Sequence, residues 1–384
     1  MQYSATYHFV GVTDMADAIE VITLVLELIW TLIRVHFENI RCIYRVFVPN
    51  EPKDIRGEIT IKYVTLTSLK KNLAAGYTLA DAIEVITLVL ELIWTLIRVH
   101  FENIRCIYRV FVPNEPKDIR GEITIITGAG HGMGREMALR FGKLGAVVVC
   151  VDINPKGNEE TVKIIKDNGG KAHRYECDVT DRAAVFNLAE KVKKEVGEVS
   201  ILVNNAGIMP SQPILQWTEP KIKSTIDVNL TANLWMIQAF LPSMKERNHG
   251  HIVAMSSMAG LIGFKNLVPY CGTKFAVRGV MQALENELYE ESNGKSKIKF
   301  TTICPYMVNT GLCKNPRIRF KDQMKMVEPG DAADQIIDAM RRDINEVTVP
   351  SNLHYSTRFF GYLIAPSAAR IMNSFVDAGV EAHD

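Results

Sequence analysis

The chain has 384 residues, room for one large α/β domain with an extra segment or for two small domains. Hydrophobic residues make up 47% and charged residues 23%, and the formal net charge is +1, so a sizeable core is expected and neither a disordered chain nor a nucleic-acid surface is. The seven cysteines are odd in number and form no C-x-x-C pair, which leaves no readable disulfide framework or metal site and fits a reducing compartment.

In chain order, the first feature is a repeat. Ala16–Ile61 recurs without a mismatch as Ala80–Ile125, offset by 64 residues. Solenoid repeats drift and come in three or more copies, so two identical ones point to a very recent duplication or an artefact. The artefact is favoured, because Met15 heads the first copy whereas Leu79 precedes the second. Residues 1–79 are read as this duplicated extension, and a chain of Met plus residues 80–384 would lack nothing the chemistry below needs.

Residues 80–120 are read as a hydrophobic helical segment and linker. Its apolar stretch, Val85 to Phe101, is too interrupted for a clean 20-residue span. Glu84, Glu91 and Arg98 recur every seven residues and line one helix face, with Ile, Leu, Val and Trp94 on the others. A membrane-embedded or interfacial helix is the first reading, a helix that pairs with a partner or its own copy the second, and a core helix the third. Arg98, Arg105, Arg109, Lys117 and Arg120 follow, and this basic flank would keep the next domain on the cytosolic side.

From residue 121 to 351, β-branched runs alternate with amphipathic stretches. Strands are expected at 123–127, 147–152, 171–178, 201–204, 251–256, 299–304 and 346–349. Helices are expected at 135–144, 156–168, 183–196, 232–247, 275–291 and 331–342. The pattern predicts an α/β fold, a doubly wound parallel seven-stranded Rossmann sheet.

The first strand runs into Thr127, Gly128, Ala129, Gly130, His131, Gly132, Met133 and Gly134. Glycines there let the backbone turn tightly and let a pyrophosphate approach the helix N-terminus. The strand before, the helix after, and Asp152 at the end of the next strand make this a dinucleotide site. A carboxylate at Asp152 can accept hydrogen bonds from the adenine ribose and would repel a 2′-phosphate, so NAD is expected over NADP.

TGAGHGMG resembles the TGxxxGxG pattern of the short-chain dehydrogenase/reductase family, and the rest of that family's pattern follows in order. The resemblance implies that Asp178 and Val179 contact the adenine and that Asn205, Ala206 and Gly207 support the cofactor. It places Pro305 and Thr310 beside the nicotinamide and pyrophosphate, and assigns Asn229, Ser257, Tyr270 and Lys274 to a catalytic tetrad. Closer still, GEITIITGAGHGMGRE, VSILVNNAGI, GHIVAMSSMAG, PYCGTKFA and CPYMVNTGL are similar to one membrane- and lipid-droplet-associated branch. That branch holds the 17-beta-hydroxysteroid dehydrogenase type 11 and 13 proteins and the epidermal retinol dehydrogenases. It implies an endoplasmic reticulum or lipid-droplet surface as partner, with the catalytic domain facing the cytosol, and a homodimer. Tyr306 departs from the wider family, which usually has glycine after the proline.

The chemistry fits alcohol oxidation. Tyr270 and Lys274 lie at i and i+4 and share a helix face, so the ammonium and a bound nicotinamide should both lower the tyrosine pKa. Lys274 would also bind the nicotinamide ribose. Ser257, thirteen residues upstream, would hold the substrate oxygen, and Asn229 a water that relays protons from Lys274. Asn229-Leu230-Thr231 is also a glycosylation sequon, which a buried active-site asparagine would leave unmodified. The loop 311–327, with Leu312, Ile318 and Phe320, suggests an apolar ligand: a steroid, retinoid or fatty alcohol, or its carbonyl. Residues 352–384, with Tyr355, Phe359, Phe360, Tyr362 and Ile364, would complete the pocket, touch the membrane or form an oligomer contact. Two alternatives are a catalytically idle membrane scaffold, against which the intact tetrad argues, and a sugar-nucleotide epimerase, whose TGxxGxxG spacing is not present.

Overall fold

The structure, a computed structural model, describes residues 79–319, 325–353, 368, 371 and 379–382. The first repeat copy lies outside the described residues, as do Phe320, Tyr355, Phe359, Phe360, Tyr362 and Ile364. By its contacts the chain divides into Met1–Pro113 and Asn114–Asp384.

In the first unit the described residues form one helix, α1 (Leu79–Phe111). Leu88, Leu92, Trp94, Val99, Phe101 and Ile104 are all exposed on it. Among the described residues no helix is long and apolar enough to cross a membrane.

The second unit alternates strand and helix: β1 (Ile123–Thr127), α2 (Gly132–Lys143), β2 (Val147–Asp152), α3 (Pro155–Asp167), β3 (Lys171–Glu176), α4 (Arg182–Glu195) and β4 (Ile201–Asn204). It continues through α5 (Glu219–Ile226), a wide π-type turn (Asp227–Thr231), α6 (Ala232–Arg247), β5 (His251–Met255), a short 3-10 turn (Met258–Gly260), α7 (Val268–Glu291) and β6 (Lys299–Pro305). The last elements are β7 (Pro316–Arg317), α8 (Pro329–Arg341), β8 (Glu346–Val349) and β9 (Gly379–Val380). Seven strands make one parallel sheet in the order β3-β2-β1-β4-β5-β6-β8. The Rossmann sheet expected from the sequence is therefore present.

The central strands are largely apolar because helices cover both faces, whereas edge strand β3 carries Lys171, His173, Arg174 and Glu176. Alternate residues point to opposite sides of a strand. Ile126, Val148, Cys150 and Val203 therefore pack against α2, α3 and α8, through Met137, Phe141, Ile165 and Ile336. Ile125, Val149, Leu202 and Ile252 pack against α4, α6 and α7, through Val185, Met236, Phe240 and Val277. Local signals start the helices. Asp181 caps α4 by accepting from the Ala183 and Ala184 amides at 2.8 and 3.2 Å. Asn154 caps α3, with Pro155 in its first turn.

Three differences from the sequence reading concern edges. Helix α7 begins at Val268, about two turns before the expected 275, because Pro269 is tolerated in a first turn. The segment 114–120, read as linker, is docked: Ile119 is in the core, and Lys117 N donates to Arg341 O at 2.8 Å. Finally, β7 and β9 pair antiparallel, joining the loop after β6 to the end of the chain.

Candidate active site

The order of the strands reverses between β1 and β4, so the loops after their carboxyl ends diverge and leave a crevice. A cleft of about 840 Å³ opens there. At its floor Gly128 and Gly132 adopt φ of +67° and +55°, which favours glycine. Gly134 starts α2 directly against the Gly128 carbonyl, where a Cβ has no room. The amides at the start of α2 thus stay open to an anion.

Thr127 stands behind this loop. Its hydroxyl accepts the amides of Asn205 and Ala206, both at 3.0 Å, and Asn205 Nδ2 donates to Thr127 O at 2.8 Å. The ends of β1 and β4 are thereby tied together, and Gly128, Met133, Asn205, Ala206 and Gly207 line one wall. Asp152 caps the far end of that wall. Its Oδ2 accepts from Gly130 N and its Oδ1 from Asn154 N, both at 2.8 Å, so the carboxylate also shapes the glycine loop. Asp178 and Val179, after β3, complete this end. Exposed His131 lies on the loop and lines the cleft.

This half fits a dinucleotide: a glycine cradle that Cβ atoms would fill, free helix-start amides, and a carboxylate at the rim. Among the described residues no group of three or more His, Cys, Asp or Glu could hold a metal ion.

Deeper in, Tyr270 and Lys274 project from the first two turns of α7 and are both buried. Lys274 Nζ donates to Met255 O at 2.8 Å and lies 5.6 Å from the centre of the Tyr270 ring. Ser257, after β5, lines the cleft near Tyr270 and acts to lower its pKa, and its hydroxyl accepts from Ala259 N at 3.1 Å. Its neighbour Ser256 turns the other way, donating to Lys274 O at 2.8 Å.

Burial governs the titration of this pair. It pushes the Tyr270 phenol up to about 12, against the lowering influence of Ser257. It pulls the Lys274 ammonium down to about 8. The expected lowering of the Tyr270 pKa is thus not what the protein groups alone produce. A low-dielectric site disfavours both charged forms, and at this depth desolvation outweighs the opposing interaction.

Asn229 is fully buried in the π-type turn, a motif often found at functional sites. Its Oδ1 accepts from Ile208 N and its Nδ2 donates to Ile208 O, both at 2.8 Å, while Thr273 Oγ1 lies 3.4 Å from Nδ2. Both amide hydrogens are used, which leaves Oδ1 as the side-chain group for a relaying water. Gly207 lies between that oxygen and Lys274: a Cβ there would be 3.3 Å from Asn229 Oδ1 and 3.8 Å from Lys274 Nζ. In the folded chain the sequon asparagine is inaccessible.

Pro305 ends β6 on the cleft, and Thr310 packs over Gly132, where an added Cβ would stand 3.0 Å from Thr310 Cβ. Tyr306 N donates to Val349 O at 2.8 Å, while its hydroxyl is buried without a hydrogen-bond partner among the described residues. The substrate end is apolar: Met209, Phe264, Leu267, Leu312 and Val380 line it. Val380 packs with Leu267, Tyr270 and Cys271. Asn266 Nδ2 donates to Val380 O at 3.2 Å, and Glu381 N donates to Asn315 O at 3.0 Å. Of the catalytic and cofactor-binding residues expected, Thr127 and Asn229 stand behind the lining rather than in it, and of the loop residues expected against the ligand Leu312 lines the cleft whereas Ile318 does not. Sequence reasoning missed Met209, Phe264, Leu267 and Val380. The first three sit near motifs and could have been found by proximity, whereas Val380 carries no local signal.

Comparison with known proteins agrees with this geometry. The profile of the short chain dehydrogenase family matches residues 122–319. Human 17-beta-hydroxysteroid dehydrogenase 13 is 37% identical over 295 residues, 77% of this chain and 96% of that protein. Human epidermal retinol dehydrogenase 2 is 38% identical over 256 residues, 66% of this chain and 82% of that one. Among solved structures, a Burkholderia phymatum short chain dehydrogenase/reductase in complex with NAD superposes with a TM-score of 0.58 at 22% identity, over 70% of this chain and 99% of its own. A metagenomic short-chain oxidoreductase in complex with NADP gives 0.51 at 26%, over 60% and 97%.

Proposed function

Starting from the fact that this chain belongs to the short chain dehydrogenase family and is an oxidoreductase, we propose that it interconverts a lipophilic alcohol and its carbonyl with NAD. The observation that carries this is the single cleft, with a glycine cradle at one end, buried Tyr270 and Lys274 in the middle, and an apolar chamber at the other.

The residues divide the work as follows. Ser257 holds the substrate oxygen beside Tyr270, whose deprotonated oxygen takes the alcohol proton during oxidation and whose hydroxyl returns it during reduction. Lys274, fixed by Met255 O, binds the nicotinamide ribose, and Asn229 Oδ1 holds a water that connects Lys274 with solvent. A bound nicotinamide supplies the chemistry the protein lacks, accepting or giving a hydride at the substrate carbon. Tyr270, whose ionised form burial disfavours, would be helped to lose its proton by the positive charge of an oxidised nicotinamide bound beside it.

Asp152 supports NAD over NADP, since a carboxylate at the adenine-ribose end repels a 2′-phosphate. The nearby cation, Arg135, is turned inward to Gly130 O at 2.7 Å and Glu160 at 2.9 Å. The apolar lining supports a steroid, retinoid or fatty alcohol, in keeping with the names of the relatives. The exposed Leu, Val, Phe and Trp94 side chains of α1 support attachment to a membrane or lipid-droplet surface.

The test is turnover by the full chain with NAD and then NADP, offering estradiol, all-trans-retinol and a long-chain alcohol in detergent, with Tyr270→Phe as control. Reduced-cofactor absorbance that rises with NAD and disappears in the variant is expected. Cofactor binding without turnover of any of these alcohols would count against the substrate class.

A further inference from the structure

Behind the acid–base pair, a second set of groups joins the turn that carries Ser257 to the helix that carries Tyr270 and Lys274. Tyr270, Lys274 and Arg278 follow at i, i+4 and i+8 along α7, so they form one stripe. The Arg278 side chain is 14% exposed. Its Nε and one terminal nitrogen grip the Glu346 carboxylate on β8 at 2.7 and 3.2 Å, and its other terminal nitrogen donates to Gly260 O at 3.0 Å. Gly260 closes the 3-10 turn that Ser257 opens. It is pressed onto α7: a Cβ there would be 2.6 Å from Lys274 O, the same carbonyl that accepts the Ser256 hydroxyl at 2.8 Å. Glu346 is itself held in register opposite Thr302 of β6. A planar guanidinium can meet the carboxylate with two donors and the carbonyl with a third, which a lysine cannot do.

We propose that Arg278 and Glu346 are positioning residues that latch the Ser257 turn to α7, so that Ser257 and Tyr270 address the same substrate oxygen. This rests on the acid–base reading of the site. The latch acts through Ser257, which lines the cleft near Tyr270 and acts to lower its pKa. A displaced turn moves Ser257 away, so Tyr270 titrates higher and the rising limb of the oxidation rate moves to more alkaline pH.

The experiment compares the full chain with Arg278→Lys and with the apolar pair Arg278→Met/Glu346→Leu, which removes both members of the ion pair together. Measured are kcat and KM across pH, cofactor affinity, melting temperature, and amide exchange in residues 256–262. Expected is a kcat lower by about tenfold to a hundredfold in both variants, as misplacement of a reacting group produces. The pH limb should move alkaline, exchange in 256–262 should be faster, and cofactor affinity should be unchanged. Wild-type kcat and pH limb in both variants, with or without a lower melting temperature, would overturn the latch. If the unaltered chain turns over no alcohol, the oxidoreductase reading fails by itself. The exchange measurement then decides the latch, which unchanged protection in Arg278→Lys overturns.

Discussion

The two ends of the cleft are built differently. At the cofactor end every wall is the end of a strand and the loop directly after it: Thr127 to Gly134 after β1, Asp152 after β2, Asp178 after β3, and Asn205 to Gly207 after β4. At the other end the walls come from segments far apart in the chain, Met209, Phe264, Leu312 and Val380 among them, joined by the β7–β9 pair and by Asn266. A dinucleotide asks for backbone geometry, which short local sequences encode. An apolar ligand asks only for volume and grease, which any packed segments can supply.

The sharpest break in this comparison lies where the two ends meet. Tyr270→Phe should lower alcohol turnover by about 10²- to 10⁴-fold, measured by reduced-cofactor absorbance, while cofactor affinity stays intact. Lys274 offers a titration at the same junction. Its pKa is depressed from 10.5 to about 8, so the folded state binds fewer protons than the unfolded one between those values. The penalty is complete below pH 8 and fades as pH rises through 10.5, so the Lys274 contribution to stability rises across that window, against the opposite contribution of groups such as Cys150 and Cys304, whose burial raises their pKa to about 12. The depression corresponds to on the order of 3 kcal/mol, and it should appear as the difference between the pH profiles of the unaltered chain and Lys274→Met in denaturant titrations.

Next comes the cofactor end alone. In Gly134→Ala the new Cβ meets the Gly128 carbonyl and lies 2.6 Å from Asn205 Nδ2. Backbone cannot yield there, and a loss of about 1–3 kcal/mol in cofactor binding, read by titration, is expected. Gly272→Ala, with nothing within 4 Å, should be neutral. Asp152→Ser should move the NAD-to-NADP preference by about tenfold, roughly 1.4 kcal/mol. It should also weaken both cofactors, because Gly130 N loses its acceptor. The smallest change belongs to the substrate end. Val380→Ala should cost about 1–2 kcal/mol of stability and raise KM for a lipophilic alcohol a few-fold, with cofactor affinity unchanged.

The same asymmetry governs what could be read in advance. The strands at 123–127, 147–152, 201–204 and 346–349 have the expected bounds, because continuous apolar runs between turns leave little choice of register. Helix α7 was placed late, since Pro269 and Gly272 blur the periodicity that its tertiary packing completes. The titration of Tyr270 and Lys274 was not legible at all. Spacing puts the two on one face, but the depth of burial that decides which effect wins is a property of the assembled core.

The residues by themselves determined the doubly wound sheet, the glycine turn, Asp152 at the end of β2, and the helical stripe of Tyr270 and Lys274. Each follows from local spacing and backbone preference. Only the tertiary structure decided that Ser256 faces the helix backbone, that Arg278 and Glu346 clasp the turn between them, and that Val380 walls the site. Those are contacts between segments distant in the chain, and they exist only once the sheet has brought the segments together.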